Sequence, residues 1–567
     1  MGEKTKPGLF AREATGLVRE VGFMLGVIII LCHVVGLGWQ KRAFEFSGPR
    51  PMPADQLPLG LPAMFWAFLV AGLVVLVTGY AAGYVTAAMP RSGGGYVTIS
   101  RVIHPFVGYN AGWLMFLAEA FSYGLIAVAV FEAIMIFFSI ALAPTVVSFD
   151  ATTLFVGGLV ITIIFTVLAL FGVRLYGWLM HTMFWIPLVI TVVFFAMWIA
   201  GIMDPTLIEK GVEDVMGAPP STFVTQAINS GMTDPANVAT FSNAFSYALG
   251  GAFWAYMGWY ATTFVAGEVK EANKKLPMVV LVAGLIIMLV YLGASSFSSI
   301  GAMGVAKTPD GKWSFFQSYA WLSYADLTPA QEAARDAAIP NFQDAWTTGI
   351  ASMTARGMDM GWLSIIIAVA AVLWVANDIP PFLLVASRTF FAMSFDRMMP
   401  EKFAEVSERW HAPTWSLIVT AIFGIVGCIA ESHLTIGDAD LHEYTAFAGV
   451  VGTDIYDAAF LTLFVLSCML LPLERKEIYD RAAVKHSVGT VVVIGAAATL
   501  GAAYCLGTFI KESTFFIFTP VGIEDLCSSF GFWGCIAVGV LLYIYYMYRN
   551  TTKGVDMRTL YVSIPPE

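Results

Sequence analysis

The sequence predicts an all-α polytopic membrane protein of about 12 transmembrane helices, and three observations carry that reading. Of 567 residues, 58% are hydrophobic and 12% charged, about half the charged share of a soluble globular chain. Apolar runs recur from near Val18 to near Tyr548 with no soluble block between them. Basic residues fall unevenly between alternate connections, as they do around membrane spans.

A hydrocarbon core about 30 Å thick takes roughly 20 helical residues to cross. Runs that qualify lie near 18–43, 61–89, 106–142, 152–172, 177–202, 241–266, 277–304, 359–392, 414–431, 445–472, 487–510 and 529–548. The first has Glu3, Glu13 and Glu20 before or at its start and no small-residue cleavage site after it, so it is expected to be retained rather than removed as a signal peptide. With an even number of spans both ends share one side, and a cytoplasmic N-terminus puts 21 of the 30 Lys and Arg residues inside, from Lys4, Lys6 and Arg12 to Lys553 and Arg558. The other nine fall in connections on the far side, of which 40–60, 203–240 and 305–358 are too long for simple turns and are expected to carry short surface helices. A multi-pass protein of the plasma membrane with both termini cytoplasmic is the expectation.

Several function classes drop out. A net charge of -10 offers no basic footprint for nucleic acid. Cys32, Cys428, Cys468, Cys505 and Cys535 sit in apolar runs without a CxxC pair, and read as small hydrophobes rather than a disulfide or zinc framework. No HExxH occurs, and Ser92-Gly93-Gly94-Gly95 lacks the GK[ST] of a phosphate loop. An enzyme is not expected, nor a cofactor beyond Na+ or H+ as a coupling ion.

Two spans carry glycine-rich interruptions. Span 1 reads Cys32-His33-Val34-Val35-Gly36-Leu37-Gly38-Trp39, and span 6 reads Gly250-Gly251-Ala252-Phe253-Trp254-Ala255-Tyr256-Met257-Gly258-Trp259. Backbone freed inside a bilayer must face protein, a cavity or a ligand. Paired breaks in distant spans point to a midplane transport site, where half-helix N-termini offer N–H groups to an anion and C-termini offer carbonyls to a cation. The same glycines would also serve close helix packing.

Ionisable groups at membrane depth cost about 2.5–3.5 kcal/mol each on insertion scales and are functional candidates by default. They are His33, Glu119 and Glu132, His181, Asp378, and Asp454 with Asp457. In Asn377-Asp378-Ile379-Pro380-Pro381 the prolines free carbonyls beside an acid, a cage suited to sodium or, through the carboxylate alone, to a proton. A silent pairing of Asp378 with His33, or a local cap, is the other reading. Glu132 reads as structural, and Asp454 and Asp457 could mark the polar outer end of their helix.

Three strings on the inner side resemble the amino acid-polyamine-organocation (APC) superfamily of permeases: Pro90-Arg91-Ser92-Gly93-Gly94-Gly95-Tyr96-Val97-Thr98-Ile99-Ser100-Arg101, Gly267-Glu268-Val269-Lys270 to Leu276-Pro277, and Ser387-Arg388-Thr389 to Asp396-Arg397-Met398-Met399-Pro400. The resemblance covers most of spans 1 to 10. It implies a leucine transporter-like fold with a 5+5 inverted-repeat core, spans 1 and 6 unwound. The chain then divides into a cytoplasmic segment 1–17, a first repeat 18–202, an outer loop 203–240, a second repeat 241–472 with its outer loop 305–358, spans 11 and 12 in 473–548, and a tail 549–567.

By the same resemblance, amides around Val35, Gly36, Leu37 and Gly38 hold a substrate carboxylate, and carbonyls of Trp254, Ala255 and Met257, before Gly258, hold its amine. Trp254 caps the substrate, with Tyr256 as the weaker candidate. Glu119 lies beside the substrate side chain. A sodium site is implied at Cys32, Val35, Asn377 and Asp378, with His33 nearby, although a carboxylate replaces the family's neutral hydroxyls. The acid that exchangers of the family carry after the span-6 glycine is Tyr260 here. The expected function is secondary active transport of an amino acid or related amine, coupled to a proton or sodium gradient. An amino acid/amine exchanger, a channel or a non-transporting sensor are the alternatives. The expected partners are the small-molecule substrate and the lipid bilayer, with the chain a monomer or weak oligomer.

Overall fold

The computed structural model describes residues 9–143, 150–437 and 439–566; Glu3, Lys4 and Lys6 lie outside them. Span 1 is two helices, α1 (Phe23–Val34) and α2 (Leu37–Glu45), separated at Val35 and Gly36. Span 2 is α3 (Ala63–Ala88), followed by a short buried α4 (Gly94–Val102). Spans 3 to 5 are α5 (Pro105–Ala141), α6 (Ala151–Leu170) and α7 (Val173–Met203), after which α8 (Pro205–Met216) and α9 (Pro220–Asn229) fill the first long connection.

Span 6 is again divided, into α10 (Phe241–Tyr256) and α11 (Ala261–Phe264). α12 (Ala272–Met303) is span 7, and α13 (Phe315–Tyr324), α14 (Pro329–Ala338) and α15 (Thr347–Gly357) occupy the second long connection. Span 8 comprises α16 (Gly361–Ala376) and α17 (Ile379–Phe395), meeting at Asn377 and Asp378; α18 (Thr414–Glu431) is span 9. A hairpin of β1 (Thr435–Ile436) and β2 (Ala439–Asp440) leads through α19 (Leu441–Thr445) to α20 (Val450–Glu474), span 10. The rest is α21 (Lys476–Arg481), α22 (Val488–Glu512), α23 (Thr514–Ile517), α24 (Ile523–Thr552) and α25 (Met557–Val562).

Among the described residues 11 spans are long and apolar enough to cross a membrane. Span 6 is missing from that set because its break leaves 16 residues in α10 and four in α11. Counting it gives the expected 12. Large apolar side chains stay exposed on the outside of the bundle, among them Trp178, Val189, Leu289, Leu500 and Leu541, which is the surface a bilayer covers.

Inside, small residues let backbones touch. A Cβ on Gly124 of α5 would sit 1.7 Å from the Gly424 carbonyl of α18, and one on Gly427 would sit 2.0 Å from the Phe121 carbonyl. The long connections are not merely surface helices. α14 has no buried residue, whereas nearly all of α15 is buried. The reason is again glycine: Gly211 of α8 meets the Met353 carbonyl, and Gly357 of α15 meets the Leu207 carbonyl, so that any side chain would clash.

The three family strings converge on the face that carries both chain ends. Gly93 N–H donates to the Phe264 carbonyl at 2.8 Å, and Arg388 grips Glu268 through Nε and Nη2 at 2.9 and 3.2 Å. Arg101 grips Asp396 at 2.6 and 2.8 Å, and the Tyr96 hydroxyl donates to the same carboxylate at 2.8 Å. The chain ends add to this seal, through Ala11 N–H to the Phe395 carbonyl and Arg91 Nε to the Pro565 carbonyl.

Candidate substrate and ion site

Both breaks open on one cavity of about 330 Å³. Gly36 has an irregular backbone (φ -130°, ψ -112°) and caps α2 without a side-chain bond, so the first amides of α2 carry no cap of that kind. An uncapped helix N-terminus attracts negative charge. Leu37 and Gly38 line the cavity there. The two breaks also touch: a Cβ on Gly38 would lie 2.7 Å from Ala255 Cβ, so only glycine lets α2 lie against the end of α10.

The Tyr291 hydroxyl, from α12, donates to the Ala255 carbonyl at 2.7 Å and also contacts the Val34 carbonyl. One phenol thus spans the carbonyl ends left by both breaks. Gln40 does similar work on the first: its Nε2 donates to the Gly36 carbonyl at 3.3 Å and to Ala371 at 3.2 Å. The Trp254 carbonyl accepts from Met257 N–H at 3.0 Å. Carbonyls have two lone pairs, so Trp254 and Ala255 retain accepting capacity for an ammonium.

Of the expected substrate residues, Leu37, Gly38, Glu119, Trp254, Ala255 and Met257 line the cavity. Val35, Gly36, Tyr256 and Gly258 do not. Tyr256 points away, donating to the Phe68 carbonyl at 3.1 Å. Gly258 packs on the His33 ring instead. Gly36 backs directly onto Asp378: a Cβ there would lie 2.5 Å from Asp378 Oδ2. Trp254 carries the Arg42 guanidinium over its face at 3.9 Å, and Arg42 also donates to Glu45 at 2.5 Å, a cation–π contact beside the cavity.

The expected cation residues divide in the same way. His33 and Asp378 line the cavity. Asn377 is fully buried, and neither its amide atoms nor Asp378 Oδ1 has a hydrogen-bond partner among the described residues. Such orphaned oxygens fit a cation, since buried polar groups are otherwise satisfied. The Cys32 thiol turns towards the Met180 carbonyl, leaving only its backbone oxygen as a ligand of the expected kind.

Residues that the sequence left open now have places. Glu132 lies 3.7 Å from Lys41. His181 accepts from Trp185 Nε1 at 3.2 Å, an exposed pairing. Asp454 and Asp457 line the cavity together with Glu45, Glu431 and Glu512, facing Lys41 and Arg42. Tyr291, Gln40 and Arg42 were not anticipated at all. A tyrosine in the middle of the apolar α12 was the available signal, since a buried phenol needs a partner.

A polytopic bundle with two broken spans around a shared internal cavity is the architecture of a membrane carrier. The chain belongs to the amino acid permease family, whose model matches residues 28–542. It is 22% identical over 286 residues to the serine/threonine exchanger SteT of Bacillus subtilis, covering 49% of this chain and 54% of that one. The match therefore spans about half the length of SteT. It is also 23% identical over 452 residues to the uncharacterized transporter Rv1999c of Mycobacterium tuberculosis, covering 79% of this chain and 81% of that protein.

Proposed function

We propose that this permease is a secondary active transporter of an amino acid or related amine, working by alternating access and coupled to a cation gradient. The observation that carries the reading is the cavity bounded by the free N-terminus of α2 and the carbonyl end of α10, with Glu119 and Asp378 in its wall. The carboxylate of the cargo takes the α2 amides and its ammonium takes the carbonyls around Trp254 and Ala255. The face bearing the chain ends is the cytoplasmic one, in keeping with the positive-inside bias, and its ion pairs close the cavity on that side. Residues Asn377 and Asp378, with the Cys32 and Val35 carbonyls, would hold sodium or a proton beside the α2 terminus, offsetting the negative charge that Asp378 brings to a carboxylate site.

The test is counterflow of labelled L-serine, L-threonine, L-lysine and putrescine in proteoliposomes. Exchange of none of them would remove the reading. Asp378→Asn is expected to abolish uphill accumulation while affecting exchange less, and unchanged accumulation would end its coupling role. Glu119→Gln is expected to shift preference away from lysine and putrescine; an unaltered profile would separate Glu119 from the substrate side chain. Exchange alone is the second reading, the name of SteT describing that protein as an exchanger, and accumulation without an opposing substrate would exclude it.

A further inference from the structure

One cluster in the cavity wall joins Glu119, which the reading above already uses, to Asp457 and Tyr260, which it leaves without a role. Glu119 of α5 and Asp457 of α20 are linked through Tyr260, whose hydroxyl lies 3.2 Å from Glu119 Oε1 and closer still to Asp457 Oδ2. His33 Nε2 stands 3.4 Å from Glu119 Oε2. All four residues are less than one-tenth exposed. Glu119 Oε2 and Asp457 Oδ1, together with His33 Nδ1, have no hydrogen-bond partner among the described residues.

Hydrogen counting decides what this cluster needs. A phenol has one proton to donate, and an ionised carboxylate has none. With both acids ionised, one of the two contacts to Tyr260 is oxygen facing oxygen, and two like charges share a site away from water. A single added proton completes the chain, from one carboxyl O–H to the Tyr260 oxygen and from the Tyr260 O–H to the other carboxylate. We infer that Glu119 and Asp457 together bind one proton across the Tyr260 hydroxyl, and that this proton moves with the substrate. The inference rests on the transporter reading and assigns its driving ion.

Among the described residues the cavity's two other cations are engaged elsewhere, Lys41 lying 3.7 Å from Glu132 and Arg42 pairing with Glu45. Asp378 faces Glu119, and Asp454 and Glu512 face Asp457's end of α20; the Cys505 thiol approaches from α22, and Arg42 is committed to Glu45 and the Trp254 ring. His33 is the basic group that stands beside Glu119 itself, at 3.4 Å.

The chain is also connected to the parts that must move. Tyr260 stands in the broken stretch 257–260, and His33 precedes the break of span 1 and packs against Gly258. Glu119 and Asp457 belong to the long continuous helices α5 and α20. With the proton bound, the phenol ties both breaks to these helices. When it leaves, the carboxylates repel, one contact to Tyr260 is lost, and the breaks are released. A proton taken up on the side to which the cavity opens would thus be given up on the other, one per cycle.

The experiment uses the full chain in lipid vesicles. Infrared difference spectra after a pH step, without substrate, are expected to show a protonated-carboxyl C=O band. It disappears in both Glu119→Gln and Asp457→Asn, because the pair shares the proton, and shifts in Tyr260→Phe. Wild-type vesicles are expected to accumulate labelled L-serine or L-lysine in response to a pH gradient, and Asp457→Asn vesicles to gain nothing from that gradient. The inference is overturned if the band survives in either carboxyl variant. It is equally overturned if wild-type accumulation follows sodium and ignores pH. Absent counterflow of every probe would fell the transporter reading instead, and the infrared arm would still judge the proton site.

Discussion

Gly258→Val is expected to abolish counterflow and to lower the melting temperature of the purified protein. Gly258 has φ +95°, a conformation that a β-branched residue adopts only at a cost of order 1–3 kcal/mol. A Cβ there would also lie 2.6 Å from His33 Cδ2 and 2.9 Å from the His33 carbonyl. Overpacking of that kind costs typically about 1–3 kcal/mol more. The imidazole has no easy retreat, because Phe382 packs edge-on against it at 4.3 Å and Glu119 Oε2 stands 3.4 Å from its Nε2. Gly60→Val separates the two effects: its φ is +70° but nothing lies within 4 Å, so it carries backbone strain alone. Gly60→Val is expected to transport normally with a small loss of stability. Wild-type counterflow in Gly258→Val would show that the span-6 break tolerates a side chain, and the site as described would not stand.

The position of that break was legible in the sequence; its contents were not. Glycines inside otherwise apolar runs are where backbone can leave the helical ladder, and Gly36 and Gly258 lie at the breaks, whereas the Gly250-Gly251 pair stays helical within α10. What a periodic pattern cannot give is helical phase across an interruption. Within an unbroken helix successive side chains advance by about 100°, but a non-helical pair such as Val35 and Gly36 resets the count. Tyr256 therefore stays a candidate, weaker than Trp254, to face a substrate, and the structure turns it to Phe68. The direction of the Cys32 thiol was open in the same way, and it meets the Met180 carbonyl.

Long-range partners were hidden for a different reason. Asp457 and Tyr260 are 197 residues apart in sequence, and nothing local to either reveals the other. Both acids of span 10 read as a polar helix end, which is what their composition alone supports. The inner strings were recognised as family marks, yet their physical role is a set of buried ion pairs that only folding brings together. Spacing placed Arg101, Glu268, Arg388 and Asp396 in loops and near helix ends; Arg101 is carried inward on α4 to Asp396, and Arg388 of α17 buries itself against Glu268.

Those pairs give the other large effect. Arg388→Ala is expected to destabilise the protein by about 3–5 kcal/mol, the usual cost of leaving one member of a buried pair uncompensated. Both side chains are at most 2% exposed, so Glu268 would have no water to turn to. The backbone raises the stakes, since the Glu268 carbonyl accepts from Val21 N–H at 2.9 Å and Val21 leads into α1. The pair therefore fastens the start of span 1 and the end of span 6 to α17 of span 8. Rocking of spans 1 and 6 away from α17 must break this contact, so its loss should favour opening on the face of the chain ends. Two measurements separate stability from gating. In a double-mutant cycle, Arg388→Ala with Glu268→Ala is expected to be less destabilised than the sum of the single variants, because no charge is stranded. With the exposed Cys527 replaced by serine, Ser92→Cys should react with a water-soluble maleimide faster in Arg388→Ala than in the parent, since Ser92 is only 6% exposed while the seal is shut. Additive stabilities with unchanged labelling would reduce the pair to an incidental contact and leave the closed face to its other contacts, Arg101 with Asp396 among them.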